Sequence, residues 1–269
     1  MNLSNEDISS FSNNGFLLKK NILKETEIHT LKKIVKSTKE GKGAAGIDYP
    51  VKLKAYLIKL AKFDLKKIFN TIYLHKINNK LKLNLSADKL FNESSKLNKI
   101  DGYYNSIAKK EILPWHCDQA YSGVESVDNL VTQEYYYIKF FFYLTDVGPE
   151  NGCTSYIPGS HKITYAFRTC LFNREIEYKP HWTINDFLNL ILEKDNYKKI
   201  LNRLESKTLL EDFIKKANLV INKDNNSFDF KAEPGDLLLF NDGGFHRGSK
   251  PTLNERSIVR YMYLKNSQN

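Results

Sequence analysis

His116 and Asp118 are the first two residues of this chain whose types and spacing suggest chemistry. They lie in the segment 113–119, which is predicted to be extended, so that alternate side chains project to the same face. An imidazole and a carboxylate on one face can bind one cation in neighbouring coordination positions. A His-x-Asp pair is weak evidence alone, because solvated or salt-bridged pairs are commoner than metal sites.

A third candidate ligand, His246, follows 128 residues after Asp118. Two imidazoles and one carboxylate on one octahedral face leave positions open for a bidentate cosubstrate and dioxygen, as non-haem iron(II) oxygenases require. Arg256 lies ten residues after His246, at the start of a strand-like run. Its guanidinium can form a bidentate pair with the far carboxylate of a dicarboxylic acid. These residues together predict a metal-dependent oxygenase.

Lys139 is a charged residue within the aromatic run 135–143. Such a run is typical of a barrel core. Because side chains alternate along a strand, Lys139 shares a face with Phe141 and Tyr143. If that face lines the cavity, the lysine is a second anchor for a carboxylate.

The remaining histidines and the cysteines have simpler interpretations. His29 and His75 lie among lysines on helical segments and are expected to be solvated, and His181 is expected at the surface. Cys117 is expected to point away from the metal as a small buried apolar residue. Three scattered cysteines predict neither a disulfide framework nor a zinc cluster.

The elements that must position these residues change in character near residue 97. Before it, the pattern predicts helices over 4–12, 24–39 and 52–79, a short strand over 16–18 and a loop over 41–46. The third helix has a candidate core stripe of Leu57, Leu60, Phe63, Ile68 and Ile72. Strands are predicted over 101–106, 135–144, 236–240 and 257–264, with a helical insertion at about 165–226. This order favours a barrel or jelly roll with helical covering, in a single domain over 1–269.

Composition excludes several classes of protein. The chain has 269 residues, 41% of them hydrophobic and 27% charged, and no apolar run approaches the length of a membrane span. The N-terminus lacks the features of a secretory signal, so a cytoplasmic protein is expected. The net charge of +10 is carried by residues 1–100, which hold 20 Lys and Arg against 9 Asp and Glu. Lysines on solvated helix faces explain this charge without nucleic acid; a basic rim that attracts an anionic substrate stays open as the alternative.

The chain resembles the phytanoyl-CoA dioxygenase family of iron(II)/2-oxoglutarate oxygenases over nearly its whole length. Its first motif, Ile8 to Phe16, resembles the family's entry helix and the Phe-x-x-x-Gly-Phe sequence that ends it. The most specific stretch runs from Pro149 to Lys162. The other matching segments follow in the family's order: Trp115 to Asp118, Tyr143 to Val147, Gly235-Asp236, His246 and Arg256.

The resemblance implies a double-stranded β-helix (jelly roll, cupin-like), mostly β, with N-terminal helices over 1–97 and a core over 98–265. It implies that His116, Asp118 and His246 bind iron(II), and that Arg256 holds the C5 carboxylate of 2-oxoglutarate. Asn105 resembles a position that contacts 2-oxoglutarate in some members. Halogenases related to the family lack this carboxylate and place a halide there, so the presence of Asp118 favours hydroxylation over halogenation.

Two departures from the family pattern concern the cosubstrate. The arginine is more often eleven residues after the distal histidine, and the sequence after that histidine is more often Gly-Ser than the Arg247-Gly248-Ser249 found here. The hydroxyl contact is therefore assigned to Ser249, and Arg260 is the alternative anchor. His161 resembles a structural position of the family and is not expected to be a ligand.

These features predict an oxygenase that uses iron(II), 2-oxoglutarate and O₂ to hydroxylate an unactivated C–H bond of a small molecule, releasing succinate and CO₂. The alternatives are desaturation or oxidative cyclisation by the same oxidant, and a jelly-roll binding protein that has lost catalysis. A nucleic-acid demethylase is disfavoured because residues 101–269 are nearly neutral, with 21 Lys and Arg against 22 Asp and Glu.

Overall fold

The computed structural model describes residues 1–36, 45–52, 65–118, 137–178 and 182–266, and for 45–48 it describes the backbone alone. Nine strands form two antiparallel sheets in these residues. The strands are β1 (Phe16–Lys19), β2 (Ala45–Tyr49), β3 (Ser95–Asn105), β4 (Leu113–His116), β5 (Ile138–Tyr143), β6 (Thr154–Tyr156), β7 (Leu237–Asn241), β8 (His246–Gly248) and β9 (Arg256–Lys265). The larger sheet has the order β1-β7-β5-β9-β3-β2, and the smaller has the order β4-β8-β6.

Eight helices in the described residues cover the two sheets. Four precede the core: α1 (Asn5–Asn14), α2 (Glu25–Lys36), α3 (Leu65–Leu81) and α4 (Leu83–Phe91). Four lie between β6 and β7: α5 (Ser160–Phe172), α6 (Ile184–Leu192), α7 (Lys194–Leu201) and α8 (Lys207–Asn222). No helix among the described residues is long and apolar enough to cross a membrane.

Alternation along the central strands divides the core into layers. Phe140 and Phe142 of β5 pack with the N-terminal helices on the outer face of the larger sheet. Phe141 and Tyr143 face the space between the two sheets, together with Tyr156 of β6. A third cluster packs the insertion helices against the smaller sheet, through residues such as Phe187, Phe213 and Phe245. The site therefore lies in the middle layer, with a helical layer on each side of the two sheets.

Helix α1 shows how local sequence fixes an element. Ser4 caps its N-terminus in a capping box with Asp7, and Gly15 ends it at φ 83°. A Cβ at Gly15 would also lie 2.4 Å from the hydroxyl of Tyr156, so glycine is required there for both conformation and space.

Several sequence predictions need correction. Gly46 was predicted in a loop, but Ala45–Tyr49 forms β2 by pairing with β3. Ile72, predicted in the core stripe of the third helix, is 42% exposed, and α3 buries Leu74, Ile77 and Leu81 instead. The helical insertion begins at Ser160 rather than at about 165. Leu57, Leu60, Phe63 and His181 lie outside the described residues.

Candidate active site

His116 and His246 face each other across neighbouring strands of the smaller sheet. His116 ends β4, His246 begins β8, and the antiparallel register pairs the two residues directly. Asp118 follows β4, and its Oδ1 lies 3.2 Å from Nε2 of His116 and 3.9 Å from Nε2 of His246. One potential ligand atom from each residue lies within 4.8 Å of the others. The structure thus brings together the three residues predicted to bind metal.

Both histidines are held as neutral ligands with Nε2 directed to the centre. Nδ1 of His116 lies 2.6 Å from the carbonyl oxygen of Pro114, and Nδ1 of His246 lies 2.8 Å from that of Gly244. A carbonyl oxygen can only accept, so each Nδ1 carries the proton and each Nε2 keeps its lone pair. Burial lowers the pKa of His116 to about 4 and lowers the pKa of His246 well below its usual value. Neutral imidazole is the form that binds metals.

A cavity of about 250 Å³ opens beside this cluster. Its apolar walls come from both sheets and include Ile112, Leu113, Phe141 and Ile258. The polar side chains that line it are His116, Asp118, His246, Asn105, Lys139, Thr154, Arg247, Arg256, Arg260 and Tyr103. Six of the seven predicted site residues line this cavity, and Ser249 is the exception.

Arg256 is buried in this cavity without a carboxylate partner among the described residues. Its side chain starts β9, and its guanidinium donates to Oγ1 of Thr154 over 3.3 Å. Its Nε is buried without a hydrogen-bond partner, and so is Oδ1 of Asn105, which is paired with Arg256 in the β3–β9 register. Burial lowers the pKa of Arg256. A buried guanidinium in this state favours an anionic ligand that completes it.

Arg260, the alternative anchor, is already paired. It donates to both carboxylate oxygens of Asp101, over 2.8 and 2.5 Å, and to the hydroxyl of Tyr103. Burial acts to lower the pKa of Arg260, but its bonds to Asp101 raise it overall. The geometry therefore favours Arg256 as the residue free to hold a cosubstrate carboxylate.

Lys139 lines the cavity together with Phe141, with which strand alternation predicted a shared face, and its ammonium group contacts two carboxylates. Nζ contacts Oδ2 of Asp118 and lies 3.6 Å from Oδ2 of Asp242. Burial lowers the pKa of Lys139 to about 8. Lys139 thus forms an ion pair with Asp118, a predicted metal ligand, and not with a carboxylate of a bound ligand. Its direct contact with 2-oxoglutarate stays a prediction.

The residues after His246 depart from the sequence interpretation. Ser249 is buried against Cys153, with 3.3 Å between Oγ and Sγ, and it is not among the residues that line the cavity. Arg247 does line it, and its guanidinium pairs with Glu111 and with Asp229, over 2.7 and 2.8 Å. Sequence reasoning missed Arg247, Asp242 and Thr154. The one available signal was the position of Arg247 where the family more often has glycine.

Residues interpreted as structural keep that role in most cases. His161 hydrogen-bonds to the carbonyl oxygen of Ser12 over 3.1 Å and is not part of the ligand cluster. Cys117 is buried among the residues that pack against the insertion helices. His29 is exposed, but His75 is half-buried and donates to the carbonyl oxygen of Pro50 over 2.9 Å, so the prediction that it is solvated is wrong.

The sequence model of the phytanoyl-CoA dioxygenase family matches residues 11–256. No curated protein matches the chain. Solved structures of similar fold include HygX from Streptomyces hygroscopicus with nickel and 2-oxoglutarate bound, at 16% identity and a TM-score of 0.55, covering 98% of this chain and 88% of that one.

Two further structures are similar. AviO1 from Streptomyces viridochromogenes Tue57 is 15% identical with a TM-score of 0.53, covering 98% of this chain and 96% of that one. The epimerase SnoN, in complex with Fe³⁺, alpha-ketoglutarate and nogalamycin RO, is 10% identical with a TM-score of 0.54, covering 97% and 82%. At these identities the structures establish the jelly-roll fold, and the family match carries the assignment beyond it.

Proposed function

Since the chain belongs to the phytanoyl-CoA dioxygenase family and is an iron(II)- and 2-oxoglutarate-dependent oxidoreductase, we propose that it hydroxylates an unactivated C–H bond of a small-molecule substrate. The observation that carries the proposal is the coincidence of two features in one cavity. A cluster of two neutral imidazoles and a carboxylate lies beside a buried guanidinium that has no carboxylate partner among the described residues.

The donor set fits iron(II). His116 and His246 present Nε2 lone pairs and Asp118 presents Oδ1, a set of two nitrogens and one oxygen. Three protein ligands leave positions open for other ligands, which distinguishes this set from a closed structural site. With 2-oxoglutarate and O₂, the bound iron supplies the oxidation, with succinate and CO₂ as coproducts.

The cavity also fits 2-oxoglutarate, a dicarboxylate. One carboxylate of this molecule would complete the buried guanidinium of Arg256, and Asn105 lies opposite Arg256 in the register with its own side-chain oxygen unpartnered. The apolar walls formed by Phe141 and Ile258 exclude water and so strengthen the ion pair. Thr154 orients the guanidinium by accepting one of its N–H groups.

The charges in the cavity argue against an anionic substrate. Lys139, Arg247 and Arg260 each pair with a carboxylate of the described residues, and Arg256 is assigned to the cosubstrate. None of these four side chains is therefore available to pair with an anionic group of the substrate. A substrate whose reacting end is neutral or cationic is therefore favoured. HygX, with hygromycin B bound, and SnoN, with nogalamycin RO, provide examples of the fold with small-molecule ligands.

The test is product formation in an ¹⁸O₂ atmosphere. Purified protein with iron(II) and 2-oxoglutarate is incubated with a panel of neutral, cationic and anionic metabolites, and succinate and product masses are measured. We expect at least one neutral or cationic compound to stimulate succinate formation and to gain one ¹⁸O atom. Loss of two hydrogens without oxygen gain would identify a desaturase or cyclase instead. Absence of succinate with wild-type protein, and equal behaviour of Arg256→Ala, would support the inactive binding protein.

A further inference from the structure

The two carboxylate oxygens of Asp118 have different surroundings. Oδ1 faces Nε2 of both histidines, at 3.2 and 3.9 Å, whereas Oδ2 contacts Nζ of Lys139. The side chain of Asp118 is 31% exposed, so burial alone does not fix its orientation. The contact with Lys139 selects which oxygen is left for a cation.

Lys139 pairs with two carboxylates, those of Asp118 and Asp242. Its side chain is only 5% exposed, and that of Asp242, with Oδ2 3.6 Å from Nζ, is 2% exposed. A buried lysine paired with Asp118 alone would cancel the negative charge that a metal ligand needs. With Asp242 present, the group of three side chains keeps a net charge of −1.

Asp242 is held by hydrogen bonds to the segment that precedes β5 and to the segment that follows β4. Its Oδ1 accepts from the amide of Tyr137 over 2.9 Å, and its own amide donates to the carbonyl oxygen of Tyr137 over 3.1 Å. Its carbonyl oxygen accepts from the amide of Asp118 over 3.2 Å. Asp242 also lies four residues before His246. One residue thus touches the lysine, the backbone of one ligand and the loop that leads to another.

We propose that Lys139 and Asp242 are positioning residues for the metal ligand Asp118. Lys139 holds Oδ2 so that Oδ1 alone faces the histidines, and Asp242 balances the lysine so that the pairing does not weaken cation binding. This inference rests on the metal site proposed above. It assigns to Asp242 a role that neither its sequence position nor the ligand cluster itself indicates.

The proposal predicts a pattern across three variants. Asp242→Asn keeps an acceptor for the Tyr137 amide but removes one negative charge, so Mn²⁺ should bind about tenfold more weakly or worse. In Lys139→Met/Asp242→Asn the unbalanced cation is also gone, so affinity should return to within about threefold of wild type. In Lys139→Met alone Oδ2 is released, so the visible absorption band of the anaerobic iron(II)·2-oxoglutarate complex should shift or weaken while Mn²⁺ still binds.

Mn²⁺ affinity is measured by electron paramagnetic resonance of the free ion, with circular dichroism and Tm of each metal-free variant as fold controls. Asp236→Asn is the matched control, because Asp236 is an equally buried carboxylate that pairs with Lys20 outside the cavity, with 2.7 Å between Nζ and Oδ2. It should lower Tm without changing Mn²⁺ affinity.

Three outcomes would overturn the inference. They are wild-type Mn²⁺ affinity in Asp242→Asn, a double variant as weak as Asp242→Asn, and an unchanged absorption band in Lys139→Met. Failure of the wild-type protein to bind Mn²⁺ at all is a different result, because it would overturn the metal site and the proposed function with it.

Discussion

Replacing Arg256 or Arg260 by methionine separates the cosubstrate anchor from a structural ion pair. Both guanidiniums lie on β9 and line the same cavity. They differ in their partners: Arg256 donates to the hydroxyl of Thr154, whereas Arg260 makes two hydrogen bonds to Asp101. Methionine keeps much of the length of the side chain and removes the charge, so the two variants compare one change in two settings.

The structure gives opposite expectations for binding and for stability. Arg256→Met removes the partner of a carboxylate of the bound 2-oxoglutarate, which costs about 3–5 kcal/mol, or roughly 150- to 5,000-fold in 2-oxoglutarate affinity. The same change removes a buried charge that lacks a carboxylate partner among the described residues, so the ligand-free protein should become more stable, by about 1–4 kcal/mol. Arg260→Met leaves Asp101 buried, at 0% exposure, without its bidentate partner, and Nζ of Lys99 lies 3.5 Å from its Oδ2. This variant should lose about 3 kcal/mol of stability and little cosubstrate affinity.

The assay is anaerobic calorimetric titration of 2-oxoglutarate into each iron(II)-loaded variant, with urea unfolding of the metal-free proteins alongside. Iron(II) affinity should be nearly unchanged in Arg256→Met, because Arg256 is not in the ligand cluster. A larger affinity loss in Arg260→Met than in Arg256→Met would refute the reasoning and move the anchor to Arg260. Destabilisation of ligand-free Arg256→Met would refute the claim that its charge is held for a ligand.

Two further predictions concern the surroundings of the site. A Cβ at Gly244 would lie 1.9 Å from the hydroxyl oxygen of Tyr156, so Gly244→Ala should cost about 1–3 kcal/mol and weaken Mn²⁺ binding through His246, and Tyr156→Phe should recover part of both losses. Burial lowers the pKa of His161 from its usual 6.5 to about 4, so between these values the unfolded state binds more protons and stability is lost as pH falls. From pH 7 to pH 5 this histidine should account for about 2 kcal/mol of the loss in the free energy of unfolding. In urea unfolding, His161→Gln should remove that part of the pH dependence, whereas the control His29→Gln, at an exposed position, should not. Equal pH slopes for wild type and His161→Gln would contradict the prediction.

The sequence was sufficient to predict four strands of the larger sheet, β3, β5, β7 and β9. Apolar and β-branched runs mark β5, β7 and β9, and alternation within β5 correctly placed Lys139 on the same face as Phe141. The spacing of His116 and Asp118 predicted a shared face, and the structure brings His246 to it. Local periodicity is enough where one face of a strand is buried throughout.

The sequence was insufficient where long-range pairing decides the structure. β2 contains Gly46 and is extended because it pairs with β3, not because of its own composition. The partners of Lys139 and Arg247 are equally non-local: Asp242 lies 103 residues after Lys139, and Glu111 lies 136 residues before Arg247. Buried ion pairs depend on the register of strands that are distant in the chain, and periodicity carries no information about them.

The central claim is that His116, Asp118 and His246 hold iron(II) in a site that also binds 2-oxoglutarate. The most direct test is the visible absorption of anaerobic protein to which iron(II) and 2-oxoglutarate are added in turn. We predict a weak charge-transfer band that requires both additions, that is lost in His116→Ala, Asp118→Ala and His246→Ala, and that persists in His161→Ala. A wild-type protein without the band, or a His246→Ala variant that retains it, would contradict the account.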